Sequence, residues 1–220
     1  LASSAASDVY KRQNMKKRIG IMGGTFNPIH FGHLLLAERA YEEYNLQEVL
    51  FMPSKKPSYK NLKELASEND RKRMVELAIE QKSYFSVSTL EYERTGNTYT
   101  YETMKILHNK YPQYQYYFLI GADSLFQLEQ WKYAEELLKS TSFLVATRDG
   151  ASYESLEKQI DILHKKYCAD IHLLHMPTIE ISSTEIRKRR AEKKSISYLV
   201  PKNVETFIFQ QDLYTAERTE

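Results

Sequence analysis

The stretch Gly23-Gly24-Thr25-Phe26-Asn27-Pro28-Ile29-His30-Phe31-Gly32-His33 constrains this chain more than any other. It follows a short apolar run at 18–22 and precedes residues 34–40, which read as a helix. Strand, glycine turn and helix in that order present backbone N–H groups and a helix N-terminus to a phosphate. Gly23 and Gly24 admit backbone angles that a Cβ would forbid, and let a bulky ligand approach the main chain. Asn27-Pro28 is a turn signal, because the Asn side chain can close a local Asx turn and Pro fixes its own φ. His30 and His33 stand three apart around the expected helix start, so both can face one ligand. Gly32 between them keeps that start free of side-chain bulk. An isolated His-x-x-His is more often two satisfied polar residues at a βα turn. With the glycine turn in front, a strand before and a helix after, the pattern points to phosphate chemistry.

The rest of the chain repeats the alternation. Short β-like runs at 48–52, 85–88, 116–120, 143–146 and 171–174 are interleaved with helical patterns. The run Tyr116-Tyr117-Phe118-Leu119-Ile120 is the most continuously apolar, as expected of a strand covered on both faces in mid-sheet. Ser67-x-x-Asp70 resembles a capping box opening a helix with Met74, Leu77 and Ala78 on one face. Gly96-Asn97 marks a turn, Thr100 is the expected N-cap of a helix through His108, and residues 153–167 read as a helix. Such alternation predicts an α/β fold: a doubly wound parallel sheet with helices on both faces. Sheets of this kind bind ligands beyond the carboxyl ends of their strands. Both the first motif and Gly121-Ala122-Asp123 fall at such positions. Residues 54–68, with Lys55, Lys56, Lys60 and Lys63, read as a polar surface loop. No composition shift marks a boundary inside residues 15–220, expected to form one domain. Residues 1–14 read as an added extension or a disordered tail, with Met15 as the natural start.

Composition narrows the function classes. A net charge of +2 over 220 residues is too small to argue for nucleic acid or an anionic membrane. No apolar run approaches the roughly 20 residues that span a bilayer. The single cysteine, Cys168, excludes an internal disulfide and suits a reducing cytoplasm.

Gly23 to His33 resembles the signature of the nucleotidyltransferases with a His-x-Gly-His type motif. More narrowly it resembles the bacterial nicotinate-nucleotide adenylyltransferases, whose usual turn is Gly-Gly-Thr-Phe-Asp-Pro-x-His-x-Gly-His. Further matches follow in the family's order: Phe51-Met52-Pro53, Pro57, Lys60, Arg71, Thr98-Tyr99-Thr100, Gly121-Ala122-Asp123, Trp131-Lys132 and Ile181-Ser182-Ser183-Thr184-Glu185-Ile186-Arg187. The resemblance spans about 17–213 and implies a Rossmann-like nucleotidyltransferase fold. It implies transfer of the adenylyl group of ATP to nicotinate mononucleotide, with pyrophosphate released. A phosphate monoester has its second pKa at about 6, so such a nucleophile is largely ionised at neutral pH and needs no general base. Alignment and stabilisation of charge on the phosphoryl oxygens are what remain to be supplied.

The resemblance assigns His33 to the α-phosphate and His30 to the triphosphate beside it, with Arg187 as third catalytic donor. Gly23, Gly24, Thr25 and Phe26 would meet ATP through their main chain, and Lys60, Ser183 and Thr184 would complete its site. Ser or Thr at a helix start caps free N–H groups that also attract phosphate, and an Arg near that start can reach a phosphate bidentately. The bland reading of 182–194 is a capped helix with a basic solvated face. Thr100, Gly121, Asp123 and Trp131 would form the acceptor pocket, Trp131 stacking on the pyridine ring. Their bland readings are helix caps and core packing. Asn27 departs from the family's Asp, and Ser58-Tyr59-Lys60 from its Pro-His-Lys. Mg²⁺ is expected to arrive on the ATP phosphates and no protein metal site is expected. His164 with Cys168, and His172 with His175, read as solvated or packed. A same-fold enzyme using nicotinamide mononucleotide or another phosphorylated acceptor is the nearest alternative, and a non-catalytic nucleotide sensor the next. A cytoplasmic location without nucleic-acid or membrane partners is expected, and a homo-oligomer is left open.

Overall fold

The computed structural model describes residues 16–55, 65–96, 98–147, 153–177 and 179–215. The chain alternates as β1 (Lys17–Gly24), α1 (Phe31–Glu43), β2 (Glu48–Pro53), α2 (Glu68–Ile79), β3 (Phe85–Val87), α3 (Thr100–Lys110) and β4 (Tyr114–Gly121). There follow α4 (Ala122–Leu125), a 3₁₀ turn at Leu128–Gln130, α5 (Ala134–Ser140), β5 (Ser142–Ala146), α6 (Tyr153–Tyr167), β6 (Asp170–Leu174), α7 (Ser183–Ala191) and α8 (Lys202–Gln210). The six strands form one sheet in the order β3-β2-β1-β4-β5-β6, and every pairing is parallel. The expected doubly wound α/β sheet is therefore what forms.

Alternation along the strands divides the core. Tyr117 and Leu119 of β4 and Leu144 of β5 join α1, α2, α7 and α8 on one face. Tyr116, Phe118 and Ile120, with Phe143 and Val145, join α3, α4, α5 and α6 on the other. A period of two is the geometry of the strand itself, and central strands buried on both faces read as unbroken apolar runs.

Chain order reverses between β1 and β4, the point at which such sheets open a crevice. β1 pairs with β4 from Lys17–Tyr114 up to Ile21–Phe118. Beyond that, β1 continues with β2 out to Gly24 opposite Pro53, and β4 with β5 out to Gly121 opposite Ala146. The two sheet halves thus part at their carboxyl ends, where both motifs lie.

Candidate active site

β1 runs two residues further than the apolar run suggested, carrying Gly23 and Gly24 into the sheet opposite Met52 and Pro53. Gly23 permits a close approach: a Cβ there would stand 2.8 Å from the Phe118 ring of β4. The turn that follows is buried, and Phe26 within it holds a left-handed φ of 48°. A non-glycine residue in that region is strained and persists only where its surroundings fix it.

His30 precedes the first residue of α1, with extended backbone and only 7% of its surface exposed. Its ring stacks on His33 at a centroid distance of 3.7 Å. The His33 ring also meets Phe26 edge-on at 5.1 Å. The His30 backbone N–H donates to His33 Nδ1 at 3.3 Å. An Nδ1 that accepts places the proton of the neutral ring on Nε2, which makes Nε2–H the ring's donor. Gly32 makes room for this pair, since a Cβ there would stand 3.1 Å from the His30 ring.

The motif at Ser182–Arg187, the second of the site, docks onto this turn. Ser182 caps α7 by accepting from the Glu185 N–H at 3.1 Å. Ser183 Oγ donates to the Pro28 carbonyl at 2.9 Å. Arg187 Nη1 donates to the Asn27 carbonyl at 3.0 Å, and its Nη2 lies 3.5 Å from Thr184 Oγ1. His30, His33, Thr25, Phe26, Ser183, Thr184 and Arg187, far apart in the chain, thus belong to one continuous cluster.

Asn27 Oδ1 reaches partners far along the chain: it accepts from the Ala66 N–H at 3.0 Å and from the Tyr214 hydroxyl at 2.8 Å. Those partners need an acceptor oxygen, which Asn and Asp both offer, so the departure from the family's Asp leaves this role intact.

Arg71 is the residue whose role went unread. It is fully buried. Its guanidinium donates to the carbonyls of Thr25 (2.8 Å), Ser54 (2.7 Å), Lys55 (3.1 Å) and Ala66 (3.2 Å). Burial lowers its pKa, while Tyr92, Glu68 and Tyr214 oppose that shift. The readable signal was its spacing, since Arg71, Met74, Val75 and Ile79 form the buried stripe of α2.

Gly121 ends β4 and Asp123 lies in the first turn of α4, on the other lip of the crevice. Trp131 is half-buried and meets Phe118 edge-on at 6.3 Å; Phe118 is the ring that covers Gly23. Trp131 thus packs against the core on that face of the sheet. Thr100 is the first residue of α3 rather than its cap: Tyr99 is the N-cap, because the Thr103 N–H bonds to the Tyr99 carbonyl at 3.2 Å. Tyr99 and Tyr101 beside it meet Tyr133 at 6.1 and 5.5 Å, which brings this segment to the Trp131 loop. Beneath it Glu91 accepts from Thr103 Oγ1 at 3.0 Å, and burial raises its pKa against the bonds from Thr98 and Thr103. Lys55 Nζ donates to the Tyr92 and Arg94 carbonyls, both at 2.9 Å, tying the end of β2 to the segment that leads into α3. Lys60 and Asn97 lie outside the described residues.

Among the described residues no group of three or more His, Cys, Asp or Glu is placed to hold a metal ion. The cluster around the turn is one of imidazole, hydroxyl and guanidinium donors, a set matched to phosphate oxygens. His172 Nε2 pairs with Asp170 at 2.9 Å on the β6 edge. The His164 ring lies 3.1 Å from the Ala169 carbonyl. Among the described residues no helix is long and apolar enough to cross a membrane.

Comparison with known proteins agrees with this geometry. Residues 21–189 match the model of the cytidylyltransferase-like family. The chain is 47% identical over 198 residues to a protein of Lachnoclostridium phytofermentans named "Probable nicotinate-nucleotide adenylyltransferase", covering 90% of this chain and 99% of that one. A Clostridium perfringens protein of the same name is 39% identical over 201 residues, 91% of this chain and all of its own. Among solved structures, Plasmodium falciparum nicotinic acid mononucleotide adenylyltransferase complexed with NaAD superposes with a TM-score of 0.76 at 23% identity, over 90% of this chain and 97% of that one. By its motifs, its sheet order and these relatives, the chain belongs to the cytidylyltransferase-like family and, within it, to the nicotinate-nucleotide adenylyltransferases.

Proposed function

We propose that this chain transfers the adenylyl group of ATP to nicotinate mononucleotide, giving nicotinate adenine dinucleotide and pyrophosphate. The observation that carries the reading is the docking of the second motif on the first. Ser183 and Arg187 bond to the carbonyls of the turn that holds the stacked His30–His33 pair, where the sheet opens. The names of relatives at 39–47% identity support the same activity.

In this reaction an oxygen of the acceptor's phosphate forms a bond to the α-phosphorus of ATP. The bond from that phosphorus to the bridging oxygen breaks, and pyrophosphate leaves with the electron pair. No covalent intermediate forms on the protein. The turn at 23–26 receives ATP against its main chain. His33 directs Nε2–H at the α-phosphate, His30 serves the triphosphate beside it, and Arg187 adds a cationic fork. Ser183, Thr184 and the N-terminus of α7 lie alongside, and Lys60 is assigned to the same phosphates. Mg²⁺ would be carried by the phosphates of ATP and would offset their charge. Thr100, Gly121, Asp123 and Trp131 form the acceptor side. Donors fixed before the reaction are worth more than donors that must reorganise during it, and the bonds around His33 and the turn supply that fixation.

The direct test offers the purified protein ATP and Mg²⁺ with nicotinate mononucleotide or nicotinamide mononucleotide, and measures pyrophosphate release. Release favouring the nicotinate form is expected. Activity with the amide alone would keep the chemistry and refute the acceptor. Trp131→Ala is expected to raise KM for the acceptor roughly tenfold, the scale of a lost ring–ring contact with its buried area, leaving KM for ATP nearly unchanged. Equal shifts in both constants would remove Trp131 from the acceptor side.

A further inference from the structure

We propose that Tyr214 is a positioning residue for the nucleotide-binding turn, acting through the side chain of Asn27; this rests on the reading of that turn as the ATP site. Tyr214 lies beyond α8, 187 residues from Asn27 in the chain, and donates its hydroxyl to Asn27 Oδ1 at 2.8 Å. The same oxygen accepts the Ala66 N–H at 3.0 Å. The Asn27 carbonyl receives Arg187 Nη1 at 3.0 Å, and the Thr25 carbonyl two residues earlier receives Arg71 Nη1 at 2.8 Å. Four donors from three separate segments thus converge on Thr25 and Asn27, either side of Phe26.

The turn needs that restraint. Phe26, between the two held residues, is buried in a left-handed conformation that a side chain disfavours. Three residues on from Asn27 comes His30, whose backbone N–H sets the tautomer of His33. A shift of Asn27 is therefore passed along a short buried segment to both imidazoles, and misplacement of a donor costs rate well before it costs the fold. Burial raises the pKa of the Tyr214 phenol, while Arg187 and Arg71 pull it the other way. It stays protonated, and so a donor, across the neutral range. Neighbouring Leu213 is buried in the core on its own account, so the tail is held without the hydroxyl. That separates the hydrogen bond from the packing.

Tyr214→Phe removes the hydroxyl and keeps the ring. Its kcat/KM for ATP is expected to fall about tenfold, the scale of one hydrogen bond lost from a preorganised site. KM for the acceptor and the melting temperature should stay close to wild type. Asn27→Ala is expected to fall further, and the double variant no lower than Asn27→Ala alone, because the second change removes a partner already gone. A double variant reduced by the product of the two single effects would overturn the proposal, as would an unaltered Tyr214→Phe. Calorimetric ATP affinity, measured on the same four proteins, runs the cycle without turnover. Wild type that binds ATP but releases no pyrophosphate would sink the proposed reaction while leaving Tyr214 testable on affinity. Wild type that does not bind ATP would overturn both.

Discussion

His33→Ala is expected to lower kcat by about 10²-fold or more, the cost of removing one preorganised donor at a site of developing charge. Three contacts hold this ring in one orientation: the His30 N–H on Nδ1 at 3.3 Å, the His30 ring at 3.7 Å and the Phe26 edge at 5.1 Å. With Nδ1 accepting, the donor of the neutral ring is Nε2–H. Alanine removes that donor together with the acceptor that orients the His30 backbone, so both imidazole functions suffer. KM for ATP should change less than kcat, since the loss concerns charge that develops in the transition state. The check is a kinetic comparison at saturating ATP and acceptor, alongside a melting curve. A near-normal kcat in a folded variant would remove His33 from the assigned role.

Arg71→Met carries the largest expected effect on stability. The substitution keeps an unbranched side chain of similar length and deletes every donor. The carbonyls of Thr25, Ser54, Lys55 and Ala66 then lose their guanidinium partners inside the fold. A buried polar group left without a partner costs on the order of 1–3 kcal/mol. Removing the buried charge returns part of that, because desolvation already opposes it. A net loss of about 3 kcal/mol follows, or a fall in Tm of roughly 10 °C for a chain of this size. Arg71→Lys should not restore it, because a single ammonium cannot span carbonyls arranged for a planar fork. Calorimetry on the two variants checks this. A Tm within a degree or two of wild type for Arg71→Met would show that the turn is held by other means. Activity should fall in the same variant, as Thr25 belongs to the turn.

Much of this could be read before folding, for local reasons. The apolar run, glycine turn and helix at 18–40 are nearest-neighbour chemistry, and β1 and α1 form there. Helix α6 has its expected bounds, and Ser67 and Ser182 cap α2 and α7 by accepting from the Asp70 and Glu185 N–H groups. The misreadings came where a partner lay elsewhere. Gly23 and Gly24 belong to the strand because Met52 and Pro53 continue its ladder. The N-cap of α3 is Tyr99 instead of Thr100, since the closing bond goes to its carbonyl regardless of which hydroxyl stands nearby.

The sequence by itself determined the element types, the parallel α/β class and the chemistry of the motifs, because strand and helix periods and turn residues act over a few neighbours. Only the tertiary structure decided what holds the site. The strand order brings Arg71, 46 residues away, to the carbonyl of Thr25, and Tyr214, 187 residues away, to the side chain of Asn27. An arginine on an apolar helix face and a tyrosine near the end of the chain carry no local mark of those partners. A hydrogen bond depends on where two groups are placed, and placement across such separations is set by how the sheet is wound.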